Sequence, residues 1–218
     1  KDLSVLVNFH KCNDQRRLNK YLIACHHSMK NGGLLVGYFE PLDNVYRNLR
    51  NKLPRVLFLI ISPLHFIFHR IAPKMAIANF LYFLITRGKN RILSKAEMFG
   101  RLSYCGFDIV SEFYLEGRTA FIAQKMKSIS SELKPSFKTI VALKRVGYRG
   151  EIIDIYKIRT MHPYSEFLQK YVYENSKLDD SGKFNNDFRL TAWGKSFRKI
   201  WLDEIPQLFN WVRGDVKI

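Results

Sequence analysis

Asp203 and Glu204 stand side by side in the run FRKIWLDEIPQLFNW. Adjacent carboxylates diverge from the backbone and can divide one reaction between them. An ionised carboxylate is a usable nucleophile or metal ligand, and two side by side attract a hard cation such as Mg²⁺. By itself such a pair is ordinary decoration of a helix start. Its basic neighbours in sequence change that reading: Lys157, Arg159, Arg189, Arg198 and Arg213. A site that handles phosphate needs such cations. Arginine suits it because its planar fork pairs two phosphate oxygens at once. The chemistry these types point to is the handling of a phosphate group, with carboxylates that could serve as nucleophile or metal ligand.

The elements that must position these residues are also legible. Residues 195–201 predict a helix with Phe197, Ile200 and Trp201 on its core stripe and Arg198 off it. Pro206 suits the first position of the next helix, where its missing N–H costs nothing. Leu208, Phe209 and Val212 are expected to bury that helix. Asp203 and Glu204 then fall just before a helix N-terminus, where the dipole and free N–H groups favour ionised carboxylates. Upstream, residues 140–161 (IVALKRVGYRGEIIDIYKIRTM) read as two strands with a turn at residues 147–150. This hairpin ends in Lys157, Arg159 and Thr160. Residues 164–187, rich in Tyr, Asp, Asn and Lys, read as a loop.

The string IYKIRTM followed by RLTAWGKSFRKIWLDEIPQLFNWVRGD resembles the bacterial sugar transferase family, over residues 135–218. These are the monotopic polyprenyl-phosphate phosphoglycosyl transferases. The resemblance implies that the Asp of an Asp-Glu pair attacks the β-phosphate of a UDP-sugar, releases UMP and holds the sugar phosphate covalently. Polyprenyl phosphate then takes the sugar phosphate. By position Asp203 matches the nucleophile, and Glu204 matches the carboxylate that helps bind Mg²⁺, with Asp203 beside it. Lys157, Arg159, Arg198, Gly214 and Asp215 fall on other motif positions. The basic ones, with Arg189 and Arg213, are expected phosphate contacts, and Gly214-Asp215 a structural turn. The implied location is the cytoplasmic face of the bacterial inner membrane, peripheral or monotopic. The sequence departs from the family twice. A re-entrant membrane helix usually precedes the hairpin, but residues 115–135 are too polar and too short for one. The Arg-Pro-containing segment that follows the Gly-Asp turn in the family does not occur in these residues.

The net charge of +17 favours acidic partners. No nucleic-acid reading motif or aromatic stacking pattern accompanies it, so a nucleic-acid partner is not expected. A catalytically idle module that docks to membrane or to a partner transferase is the alternative to an enzyme. Cys12, Cys25 and Cys105 are odd in number and lack CxxC spacing. A disulfide scaffold and a structural zinc site are therefore not expected, and a reducing compartment fits. The opening residues lack the shape of a signal peptide. The chain reads as part of a longer protein.

The fold class expected is α/β: a partial methyltransferase-like α/β region over residues 1–127, a linker over 128–134, then the α+β sugar transferase part over 135–218, a β-hairpin plus helices that is truncated at its C-terminus. In the first region a strand is expected at residues 3–9 and a helix at 14–29, with Leu18, Leu22 and Cys25 on one stripe. Asn31-Gly32-Gly33 reads as the helix C-cap, and residues 34–40 as a strand. Ser94 and Glu97 read as a capping box on a helix to residue 104. Residues 107–116 and 119–125 read as a hairpin. This order resembles the second half of a class I methyltransferase fold, without the glycine-rich donor loop. An accessory role is the expectation. An insertion at residues 44–96 holds ten Lys or Arg and not one Asp or Glu. Its apolar runs are too short to span a bilayer, and Pro63 and Pro73 are expected to break a continuous helix. Apolar runs flanked by cations suit an anionic membrane surface; a packed helical cap is the plainer alternative. His65 and His69, four apart, are more simply packed than metal-binding, and neither they nor His26 and His27 are assigned a function.

Overall fold

In a computed structural model, which describes residues 2–72, 76–126, 128–129, 137–176, 184 and 187–217, the apolar opening run forms β1 (Leu3–Val7). Helix α1 (Leu18–Ser28) returns the chain so that β2 (Met29–Phe39) lies parallel to β1, pairing Val5 with Leu34 and Val7 with Val36. The expected hairpin forms as β3 (Phe107–Leu115) and β4 (Arg118–Lys125). Strand β4 inserts against β2, giving the order β1-β2-β4-β3 with one parallel and two antiparallel pairs. Strand alternation sends Leu35, Phe39, Phe121 and Ala123 into the core, where they meet Leu18, Leu22 and Cys25 of α1.

The glycines at residues 32–33 do not cap α1. The helix stops at Ser28, and Met29 already opens β2 as a buried residue. Between the first two pairs, β1 advances from Leu3 to Val5 while β2 advances from Met29 to Leu34. That surplus needs Gly32 at φ 77. It also needs Gly33, where a Cβ would stand 2.9 Å from the carbonyl oxygens of Leu3 and Lys30.

Helix α2 (Leu42–Lys52), α3 (Arg55–Phe66), a π-helical stretch (Ile67–Ile71) and α4 (Ala76–Thr86) make up most of the insertion. Pro63 does not break α3. It sits inside the helix, and the ladder widens into the π-helical stretch one turn later. Pro73 and Lys74 lie outside the described residues. Although α3 is strongly apolar, none of its residues is buried. Val56, Leu59, Ile60 and Leu64 on α3, with Phe80, Leu84 and Ile85 on α4, each keep more than half of their surface exposed. Tyr82, by contrast, is buried and meets His69 and Phe68 edge-on. His65 and His69 stack at 4.4 Å, and burial holds both rings below the usual imidazole range. Among the described residues no helix is long and apolar enough to cross a membrane.

Ser94 caps α5 (Lys95–Tyr104) as expected, its Oγ accepting from the Glu97 N–H at 3.1 Å. The Glu97 carboxylate pairs with Arg101 at 2.8 Å. Helix α5 packs against a 3₁₀ turn (Ser165–Leu168) so closely that a Cβ on Gly100 would overlap the carbonyl of Tyr164. That turn continues into α6 (Gln169–Asn175), so much of the expected loop is helical. Leu168 and Val172, four apart, are fully buried in the same core as Phe99 and Leu102. The core of the first sheet therefore includes side chains from beyond residue 160. Of the linker expected at 128–134, residues 130–134 lie outside the described residues.

The three cysteines are free and buried. Burial pushes the Cys12 and Cys105 thiols up to about 12, which leaves little thiolate at neutral pH.

Candidate active site

A second, two-stranded sheet carries the basic end of the site. β5 (Ile140–Val146) and β6 (Ile152–Ile158) pair antiparallel, with Val141 opposite Lys157. The chain then runs through Thr160, whose carbonyl accepts from both the N–H (3.0 Å) and the hydroxyl (2.9 Å) of Thr191. Thr191 in turn caps α7 (Ala192–Lys199), its Oγ1 accepting from the Gly194 N–H at 3.0 Å. Residue 194 has to be glycine here, because a Cβ would overlap the Thr160 carbonyl oxygen. Arg198, one helical turn further, donates from Nε to Thr160 Oγ1 at 2.9 Å. These contacts fix α7 across the end of β6.

After α7, Trp201 takes the left-handed conformation (φ 59) and turns the chain into a 3₁₀ turn (Leu202–Glu204). The reversal brings Glu204 back to β6, where Lys157 Nζ meets its Oε1 at 2.5 Å. Asp203, beside it, is only 7% exposed, although no hydrogen bond or ion pair to its carboxylate is found among the described residues. Helix α8 (Gln207–Val212) begins directly after Pro206. The residue that ties it to β6 is Asn210, fully buried. Its Oδ1 accepts from the Tyr156 N–H at 3.0 Å, and its Nδ2 donates to the Asp154 carbonyl (2.7 Å) and to Asp215 (2.9 Å). Asp215 also faces Arg213 at 3.6 Å, across the turn at Gly214 (φ 78).

Of the residues expected from sequence, Lys157 and Glu204 are in direct contact, with Asp203 adjoining them. Arg198 contacts Thr160, three residues after Lys157, and Arg213 faces Asp215, which bonds to Asn210. Arg159 donates to the Lys138 carbonyl at 2.9 Å and is pushed down from its ordinary value by burial. Arg189 is placed differently from the Lys157–Glu204 pair. It grips Asp187 through Nε (2.8 Å) and Nη2 (2.7 Å) and donates to Gln169 at 2.7 Å, its guanidinium over the ring of Phe184. Burial acts to raise the Asp187 carboxyl, but the hydrogen bonds and charge of Arg189 outweigh it and hold it below the usual range.

The apolar stripes of this segment do not form the core expected of them. Ile200 and Trp201 are mostly exposed, as are Leu208, Phe209 and Val212. Helical spacing shows that a face is apolar but not what covers it. Here α8 meets β6 through the polar Asn210 and through Phe209, whose ring meets that of Tyr156 edge-on at 5.8 Å. Sequence reasoning missed Asn210 and Thr191, and it named Thr160 only as part of the polar end of the hairpin. An amide inside the run LFNWV was the available signal, because a buried amide needs several partners.

The donors fit a hard divalent cation. Mg²⁺ binds through one or two carboxylates and keeps the rest of its shell for water and substrate phosphate. Asp203 and Glu204 offer two carboxylates of that kind. Among the described residues no larger group of metal-ligating side chains is found.

The fold and this cluster define an α/β protein with two adjacent carboxylates, one of them paired with a lysine. Comparison with known families narrows it: the profile described as bacterial sugar transferase matches residues 107–218, more than half of the chain, and the chain belongs to that family. Over 80 residues, 34% of the chain, it is 38% identical to an undecaprenyl-phosphate galactose phosphotransferase of Salmonella typhimurium, covering 17% of that protein. It is 34% identical over 80 residues, 36% of the chain, to the galactosyl transferase CpsE of Streptococcus agalactiae, covering 18% of it. The exopolysaccharide production protein ExoY of Sinorhizobium fredii is 34% identical over 80 residues, 34% of the chain and 35% of that protein. The chain thus spans less than a fifth of the first two relatives and about a third of the last.

Proposed function

We propose that the full-length protein moves a sugar 1-phosphate from a UDP-sugar to polyprenyl phosphate, through a covalent intermediate on Asp203, in polysaccharide or glycoconjugate assembly. The observation that carries this reading is the contact of Lys157 with Glu204 beside the buried Asp203, which has no partner among the described residues, inside the family-matched segment. An Asp203 carboxylate oxygen attacks the β-phosphorus of the UDP-sugar. The bond from that phosphorus to the bridging oxygen breaks, and UMP leaves with the electron pair. A phosphate oxygen of polyprenyl phosphate then attacks the same phosphorus, the bond to Asp203 breaks, and the carboxylate is regenerated. Lys157 orients Glu204 and adds positive charge beside the transferring phosphate. Arg198 and Arg213 would help neutralise the diphosphate, and Arg159 borders the same hairpin end. Arg189 supports the site through its pairing with Asp187. Glu204, with Asp203, would hold Mg²⁺, which when bound supplies charge stabilisation to the diphosphate. Transfer of label from a UDP-sugar to polyprenyl phosphate by the full-length protein, dependent on Mg²⁺, tests the proposal. Absence of transfer over a panel of UDP-sugars would leave a docking module as the function.

The membrane contact in this reading is residues 44–96, at the cytoplasmic face of the inner membrane. Support comes from the exposed apolar faces of α3 and α4, flanked by Arg47, Arg50, Lys52 and Arg55. Each cation near an anionic surface contributes about 1 kcal/mol, and the apolar side chains add a part that salt does not screen. Liposome flotation is expected to show tighter binding to anionic than to neutral vesicles, weakened but not abolished by high salt. Equal binding to both, or binding unchanged after removal of residues 44–96, would contradict this placement. The reading of residues 1–127 as part of a methyltransferase-like domain is supported by the parallel β1–α1–β2 unit followed by the antiparallel hairpin. No methyl-donor site is proposed for it.

A further inference from the structure

A second basic site is built at the N-terminus of α1, a helix outside the residues that the family profile matches, with Phe137 from within them completing the lining. A partly open cavity of about 340 Å³ lies there, bordered by the first turn of α1, by α4, by α5 and by Phe137. That volume suits a small organic ligand and exceeds what a bare phosphate fills. Five cations line it: Arg16, Arg17, Lys20, Arg91 and Arg101. The one carboxylate among the lining residues, Glu97, is already paired with Arg101.

Two independent features mark the cavity as an anion site. The first is the helix end. Helix α1 is eleven residues long, carries no acid in its first turn, and receives no side-chain cap from Arg17. The N–H groups of Leu18, Asn19 and Lys20, which line the cavity, have no acceptor among the described residues. Such orphan donors, reinforced by the helix dipole, bind anions. The second is Arg101, only 6% exposed. Its Nη1 donates to Asn19 Oδ1 (2.5 Å) and to the Tyr164 hydroxyl (3.3 Å), and its Nη2 to Glu97 (2.8 Å). Its Nε–H is buried and has no hydrogen-bond partner among the described residues. A buried donor left unsatisfied costs free energy, and the guanidinium that carries it lines the cavity, where an anion offsets its charge. The apolar wall completes the site. Arg16 lies over the ring of Phe83 at 4.8 Å and Arg101 over Phe137 at 5.8 Å, so two aromatic rings border the cations.

We propose that this cavity binds a phosphate ester, the phosphate at the N-terminus of α1 beside Arg101 and the organic part against Phe83 and Phe137. Both a soluble phosphorylated metabolite and the head group of a phosphorylated lipid have this chemistry. Its lining shares no residue with the Asp203–Glu204 cluster, and it does not depend on the transferase reading.

Calorimetric titration of the full chain tests it, with adenosine 5′-monophosphate as the soluble probe and short-chain phosphatidic acid as the lipid probe. At least one is expected to bind, and which of them does identifies the source. Arg17→Glu/Lys20→Glu changes two exposed side chains at the cavity and is expected to weaken binding by about tenfold or more, through loss of charge-assisted contacts. The milder Arg17→Gln/Lys20→Gln pair is expected to weaken it in the same direction. Lys144→Glu/Arg145→Glu, an equal charge change on β5, is expected to leave binding intact, as is Asp203→Asn. Binding of neither probe, or equal loss in the α1 and β5 variants, would overturn the proposal.

Discussion

Asp203→Asn in the full-length protein is expected to lower sugar-phosphate transfer by about 10³-fold or more, the scale at which removing a covalent nucleophile acts. The amide keeps the shape of the side chain and removes its nucleophilic oxygen. Asp203 sits in a 3₁₀ turn whose neighbour Glu204 is already held by Lys157, so the substitution should leave the fold in place. Unchanged thermal unfolding alongside lost turnover is therefore the expected pair of results. Turnover near that of the unmodified protein would remove Asp203 from the reaction. Glu204→Gln should behave differently, raising the Mg²⁺ concentration needed while keeping residual transfer.

Asp187→Ala is expected to be the most damaging change for stability. It leaves the Arg189 guanidinium buried without its carboxylate, since Arg189 and Asp187 are 5% and 8% exposed in their side chains. Breaking such a pair from one side typically costs about 3–5 kcal/mol. Urea unfolding followed by circular dichroism measures this, and a loss below about 1 kcal/mol, the range of exposed ion pairs, would contradict it. The pair also sets a pH dependence. Because Arg189 holds the Asp187 carboxyl below its ordinary value, its stabilisation is fully present above the unfolded-state pKa of about 3.9 and is lost as pH falls through the lower folded-state value. Acid unfolding should therefore begin at higher pH in the Asp187→Ala protein.

What the sequence reveals depends on whether a signal is local. The β3–β4 hairpin, the Ser94 cap and the β5–β6 hairpin are local patterns of alternation, turn residues and capping chemistry, and each forms where expected. The acidic pair and Lys157 were legible by residue type, and the structure adds the contact between Lys157 and Glu204. The misread stretches answer to distant partners. Gly33 is set by the approach of β1, and α6 by burial of Leu168 and Val172 beneath α5. The left-handed Trp201, an unusual conformation for a bulky residue, is held by the turn that returns Glu204 to β6. Asn210 is the clearest case. Nothing nearby in sequence shows that its amide will meet both the Tyr156 N–H and the Asp154 carbonyl.

The central claim is that Asp203 carries the sugar phosphate between donor and acceptor. Rapid mixing of the full-length protein with its UDP-sugar and Mg²⁺, with polyprenyl phosphate withheld, tests it most directly. The account predicts a burst of UMP stoichiometric with protein, together with a sugar-phosphate adduct on the peptide that contains Asp203. Both should vanish in Asp203→Asn and discharge when polyprenyl phosphate is added. Release of UMP only when polyprenyl phosphate is present, with no adduct at any time, would mean direct transfer between the two substrates and would contradict the account.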